Sequence, residues 1–141
     1  VATILTVADA VVAALNAGTF SKPVTAQRHY VPRFSLDEMD NLRVSVVPRG
    51  LASRAFDRNH NTFDYQIDVA VQQRTDVSQG SLDALMVLVE EIADFLRKTP
   101  LPGIANCKCV EIKNEPIYAP EHLAELRQFT SVLTMTFRIW R

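Results

Sequence analysis

The chain is poor in the residues that usually announce chemistry. It has four glycines, none of them in a phosphate-cradling frame, and Gly50, Gly80 and Gly103 read as turn residues. No G-x-S-x-G elbow, H-E-x-x-H pair or C-x-x-C pair occurs. The two cysteines form "CKC", Cys107 and Cys109, and a bridge between alternate residues of a strand would be badly strained. They read as reduced structural thiols in a cytoplasmic setting. The three histidines, His29, His60 and His122, are scattered without ligand spacing, so a zinc site is not expected. Apolar runs are short of the ~20 residues that span a bilayer. The N-terminal "VATILTVADAVVAALNAG" lacks a basic leader region and is interrupted by Asp9, so it reads as a packing helix rather than a signal peptide. Charge of one sign is also lacking. Fifteen basic residues face sixteen acidic ones, a net charge of −1 without the basic excess typical of nucleic-acid binding.

What is present describes one ordinary domain over residues 1–141, with 48% apolar residues, enough for its own core. Residues 4–17 predict a helix with Val7, Val11 and Leu15 on one stripe and Gly18 as its stop. A strand is expected from Thr25 to Val31, and "SLDE" (Ser35 to Glu38) has the capping-box pattern of a short helical turn. "LRVSVVP" predicts a strand with Val44 and Val46 inward. The dozen residues of "RGLASRAFDRNHN" then read as a long loop, Arg49–Asn61. Phe63, Tyr65, Ile67, Val69 and Val71 alternate with Asp64, Gln66, Asp68, Ala70 and Gln72, which is a strand with one buried face. Ser81 is placed to cap a strong amphipathic helix carrying Leu82, Leu85, Met86, Val89, Ile92, Ala93 and Leu96. Leu88 and Phe95 widen its apolar face, which favours a broad core contact over an exposed partner surface. "TPLPG" ends that helix, and a strand from about Cys107 to Lys113 follows, with Val110 and Ile112 inward. A short helix is expected in "PEHLAELRQ", and a last strand in "SVLTMTFRIW". The order implies an α+β fold, a single mainly antiparallel sheet of about five strands with two main helices packed on one face. The other face gathers Arg43, Ser45, Asp64, Gln66, Asp68, Glu111, Lys113, Thr134, Thr136 and Arg138, to meet water or another subunit.

Three features invite a functional reading. "DRNHNTFDYQID" puts Asp57, Asn59, Asn61 and Asp68 at the first, third, fifth and twelfth places of a calcium loop. Thr62 stands where the sharp turn needs glycine, Asp68 is shorter than the usual glutamate, and residues 63–68 already read as strand, so a dedicated calcium site is disfavoured. Asp64 and Asp68 share a strand face but lie about 13 Å apart, too far to share one metal or proton. A charge ladder with Arg43, Lys113 and Arg138 is the better reading. Glu90 and Glu91 are adjacent on a helix and point differently, so they read as a solvated face. No catalytic constellation, cofactor site or enzyme activity is indicated. Finally, the segment with Arg49, Leu51, Arg54, Phe56, Arg58 and His60 combines arginines with two apolar residues, which suits a subunit contact and equally a solvated tip.

The stretches "AQRHYVPRFSLDEMDNLRVSVVPRG", "FDYQIDVAVQQR" and "LDALMVLVEEIADFLR" resemble segments of small proteins from the tail modules of long-tailed bacteriophages and prophages. Over roughly residues 5–140 the plan resembles the tail-terminator (tail-completion) family, the lambda minor tail protein U-like proteins. The resemblance implies a structural virion protein, assembled as a hexameric ring on the head-proximal end of the tail tube. Such a ring stops tube polymerisation and joins the tail to the head connector. Partners would then be further copies of the chain, the tail tube protein and the connector or neck protein, with DNA only as passing cargo and no membrane. The location would be the virion neck, after assembly in the host cytoplasm. The family offers no short motif to transfer, so the ring and tail contacts are placed on Arg49, Leu51, Arg54, Phe56, Arg58, His60, Asp64, Asp68 and Arg138 from the residues alone. A neck or head-completion adaptor is the alternative within the same class. A small ligand- or ion-binding module, revealed by calcium-dependent melting, is the alternative outside it.

Overall fold

Seven elements follow one another along the chain in the computed structural model, which describes residues 3–22, 24–30, 42–74, 79–104, 106–114 and 128–140. They are α1 (Ile4–Ala17), β1 (Ala26–Arg28), β2 (Arg43–Ala55), β3 (Asn61–Arg74), α2 (Gln79–Lys98), β4 (Cys107–Lys113) and β5 (Gln128–Trp140). The five strands form one sheet in the order β1-β2-β3-β5-β4. Only the β1–β2 pair is parallel, and the other three pairs are antiparallel. The expected α+β architecture is therefore observed. The expected turn at Ser35–Glu38 and most of the expected helix after Pro120 lie outside the described residues.

Helix α1 starts where the Thr3 hydroxyl accepts a hydrogen bond from the Thr6 amide. Val7, Val11 and Leu15 are fully buried, as their spacing predicts. Gly18 caps its end in an extended conformation, and glycine suits the position for a steric reason. A Cβ there would come within 3.0 Å of the rings of both Phe20 and Phe95, which meet edge to face at 5.2 Å. Helix α2 begins at Gln79, so Ser81 lies in its first turn instead of capping it. Leu88 is fully buried and Phe95 packs against the core, which settles the broad apolar face of α2 as a core contact. Leu101, Pro102 and Gly103 turn the chain towards β4. Ile104 donates to the Leu101 carbonyl, and Gly103 takes the positive φ of 76° that such a turn requires after proline.

Helix α1 lies over β1–β3 and α2 over β4 and β5. One hydrophobic cluster joins them to the sheet through Val44, Val46, Ile67, Val69, Leu133, Met135 and Phe137. Burial of these side chains contributes roughly 1.5–3 kcal/mol each before chain entropy is counted. At the β1 edge, Asn16 of α1 uses its side-chain amide twice, accepting from the Ala26 amide at 2.8 Å and donating to the Ala26 carbonyl at 3.2 Å. That contact covers polar groups an edge strand would otherwise leave open.

Two expectations are corrected here. The dozen-residue loop Arg49–Asn61 does not exist, because β2 runs through Ala55 and pairs with β3 from Arg43↔Gln72 out to Ala55↔Asn61. The chain there is a long hairpin with a turn over residues 56–60. A β-bulge between Pro48 and Gly50 breaks the alternation of β2 and accounts for its loop-like sequence. Similarly, a bulge between Cys109 and Glu111 leaves Val110 unpaired and outward. Cys107, Cys109 and Ile112 take the inward places against the core instead.

Candidate functional site: the distal hairpin and the charged sheet face

The sheet face opposite the helices is built by register. Ala52, Asp64 and Arg138 stand in one row, and Val47, Asp68 and Thr134 in another. Arg138 clasps Asp64 with two hydrogen bonds, Nε to Oδ1 at 2.8 Å and a terminal nitrogen to Oδ2 at 3.1 Å. This bidentate fit holds the Asp64 carboxyl below its ordinary range, partial burial opposes the shift, and the charges of Arg138 and Arg54 add to it. The guanidinium of Arg138 is shifted upward by the same partner. In the second row the Thr134 hydroxyl donates to Asp68 at 2.9 Å. Arg49 donates to that hydroxyl at 3.0 Å and reaches Asp68 at 3.4 Å. The two carboxylates thus serve separate cation clusters, the ladder that the sequence predicts, with Arg49 in a place expected for Arg43 or Lys113.

The same face is not uniformly wet. Ser45, Val47, Ala70, Gln72 and Thr130 are buried, whereas Gln66 is exposed. The Ser45 hydroxyl and the Gln72 side-chain oxygen are enclosed without a hydrogen-bond partner among the described residues. The open part of the face lies towards the hairpin tip, where Asp64, Thr136 and Arg138 are half-buried.

At the tip, Asp57, the first residue of the calcium-loop pattern, is engaged within its own turn. Its carboxylate accepts from the amides of Asn59 at 2.8 Å and His60 at 2.7 Å, and its Oδ1 lies 3.0 Å from the His60 ring nitrogen Nδ1. The amides of Phe56 and Asp57 both donate to the His60 carbonyl. This is an Asx-type turn that consumes the carboxylate locally. Hydrogen bonding, led by the Asn59 amide and opposed in part by desolvation, holds the Asp57 carboxyl below its ordinary pKa. Among the described residues no three of His, Cys, Asp and Glu gather closely enough to hold a metal ion.

Of the nine candidate residues, Arg49, Asp64, Asp68 and Arg138 are brought together on the charged face, with Arg54 close to Asp64. Leu51, Phe56, Arg58 and His60 project on the hairpin. Leu51 is 58% and Phe56 65% exposed. Arg58 makes no hydrogen bond or ion pair with any described residue. Two grooves went unmarked in the sequence. One opens between the tip and the α2–β4 turn, bordered by Phe56, His60, Pro100, Ile104, Cys107 and Trp140. The other, of about 270 Å³, lies between α2 and β4 over Met86, Val89, Ala93, Ile112 and Leu133, with Glu90 and Arg97 also lining it. Neither has a motif, since each depends on elements brought together only by the sheet.

No protein-family model matches the chain, and no curated protein matches its sequence. Among solved structures the likeness is one of fold. The chain shares its fold with a chain in a structure described as the virion of a native gene transfer agent (GTA) particle. The TM-score is 0.53 at 12% identity, covering 93% of this chain and 84% of the other.

Proposed function

We propose that the protein is a structural virion subunit that forms a ring at the head-proximal end of a tail tube, ends tube polymerisation there and joins the tail to the head connector. The observation that carries this reading is the fold shared with a GTA virion chain over 93% of the present chain. The resemblance of the sequence to tail-terminator proteins points to the position within the particle. A hairpin that exposes Leu51 and Phe56 beyond the packed body suits a subunit held by its neighbours. Rings require heterologous contacts, in which one patch meets a different patch on the next copy. The charged face with Asp64, Asp68, Arg49 and Arg138 supplies a second surface, at a contact or along a lumen through which DNA passes without adhering. The role needs no reaction or cofactor, and its partners are the tail tube protein and the connector.

Electron microscopy and native mass spectrometry of the purified protein, alone and with tail tubes, test the proposal. Rings that cap tubes and block further addition of tube protein are the expected result. A strict monomer under both conditions, with tube growth unaffected, would sink it. A virion ring that binds connectors but leaves tube growth unchanged would instead assign the neck-adaptor role, which the shared virion fold supports equally.

A further inference from the structure

We infer that the hairpin tip of one copy docks in the groove between α2 and β4 of the next, with Phe56 as the apolar anchor and Arg58 paired to Glu90. The inference rests on the ring reading for its biological setting, but the contact itself is argued from the two surfaces. Phe56 is the most exposed large apolar side chain of the hairpin. The receiving groove, about 270 Å³ with an apolar floor of Met86, Val89, Ala93, Ile112 and Leu133, is large enough for a phenyl ring. For comparison, a cavity of roughly 150 Å³ takes up benzene.

Charge selects this groove over others. Arg58, two residues from Phe56, is exposed and has no partner among the described residues, and Asp57 beside it is already engaged by the turn. Glu90 on the groove rim is likewise exposed and unpaired, and it continues an exposed stripe of α2 through Asp83, Val87 and Asp94. Val87, 52% exposed between those carboxylates, offers further apolar surface. Arg97 also lines the groove but is ion-paired to Asp94 at 3.5 Å, which leaves Glu90 as its unpaired charge among the described residues, so an aromatic anchor beside a cation faces an apolar slot beside an anion.

A chain cannot fill its own groove. Leu133 is seven residues from the Trp140 row that pairs with the hairpin's end, roughly 23 Å along the strand. Three strand spacings, roughly 14 Å, separate β2 from β4 across the sheet. With self-insertion ruled out, the charge match and the ring reading make the occupant a second copy, and a tip that enters the next copy's groove without a reciprocal contact is heterologous and propagates around a ring.

The test places the photo-crosslinker p-benzoylphenylalanine at position 56 of the full chain and mixes isotopically light and heavy copies, with and without tail tubes. Light–heavy crosslinks from position 56 to α2 between Met86 and Arg97, or to Ile112, are expected. Crosslinks confined to single chains, crosslinks to another surface, or none at all overturn the inference. In parallel, Arg58→Glu and Glu90→Arg should each raise the dissociation constant between copies about thirtyfold or more, as loss of an anchor pair does. Combining both substitutions should restore association, which a folding defect would not permit. Association unchanged in both single variants also overturns it. The two proposals fail separately. Tubes capped by an unaffected Arg58→Glu variant would reject this contact and keep the terminator role, whereas persistent crosslinks on uncapped tubes would do the reverse.

Discussion

Asp64 shows how a single side chain on this sheet acts through its register partner. Its carboxylate is two-point bonded by Arg138, a geometry that holds its proton affinity down. A carboxyl with a depressed folded pKa stabilises above its unfolded value of about 3.8 and loses that contribution as pH falls through the folded value. Asp64→Asn should therefore cost about 1 kcal/mol at pH 7, and the gap to the parent should close well below pH 3.8, read from urea titrations at both pH values. A gap unchanged with pH would refute the ion pair as its source. Cys107 gives a second residue-scale expectation. Burial pushes its thiol up to about 11, with a smaller contribution from Cys109. Since the thiolate is the reacting species, iodoacetamide should label Cys107 far more slowly in the native protein at pH 8 than in urea. Mass spectrometry of the tryptic peptide would show it, and equal rates would contradict the burial.

At the scale of elements, the edge strands are treated differently. β1 is three residues long and has Ala26 covered by Asn16, so Asn16→Ala should cost about 1–3 kcal/mol and speed hydrogen exchange of the Ala26 amide. An unchanged exchange rate would mean the contact does not form in solution. β4 is interrupted by its bulge and carries Lys108 and Lys113, both of which discourage pairing with a stranger. The distal part of β2 carries a single charge over Leu51–Ala55, Arg54, and is exposed throughout. This half of the hairpin was also the least legible part of the sequence. Alternation reports a strand only when one face is buried, and Leu51 to Ala55 have neither face buried, so their apolar residues follow no period. Pro48 and Gly50 added to the effect, because they look like the end of a strand and in fact form a bulge within it. Where burial was one-sided, as in β3, β5, α1 and α2, the pattern placed the elements within a few residues. The charged face was readable for the same reason, though Arg49 could not be assigned to Asp68 without the bulge that aims it. The groove by Glu90 was invisible because the adjacency of α2 and β4 is a tertiary fact.

For the whole molecule, the tip and the α2–β4 groove give the surface a direction, one patch that projects and another that receives. Association through such patches adds stability that depends on concentration, so the melting temperature should rise with protein concentration, by scanning calorimetry. A melting temperature constant over a hundredfold range would speak against self-association. The sheet order carries a different consequence, for the making of the protein. β3 meets β2 through a short turn but meets β5 only across a large stretch of sequence, Asp64 and Arg138 being 74 residues apart. The local hairpin can close in microseconds, while the central pairing must wait for a long and entropically costly loop. During synthesis β3 therefore stands with an unpaired backbone edge and an uncovered apolar face until β5 has left the ribosome. That interval is when a nascent chain of this topology is most exposed to misassembly, and when a chaperone would have most to shield.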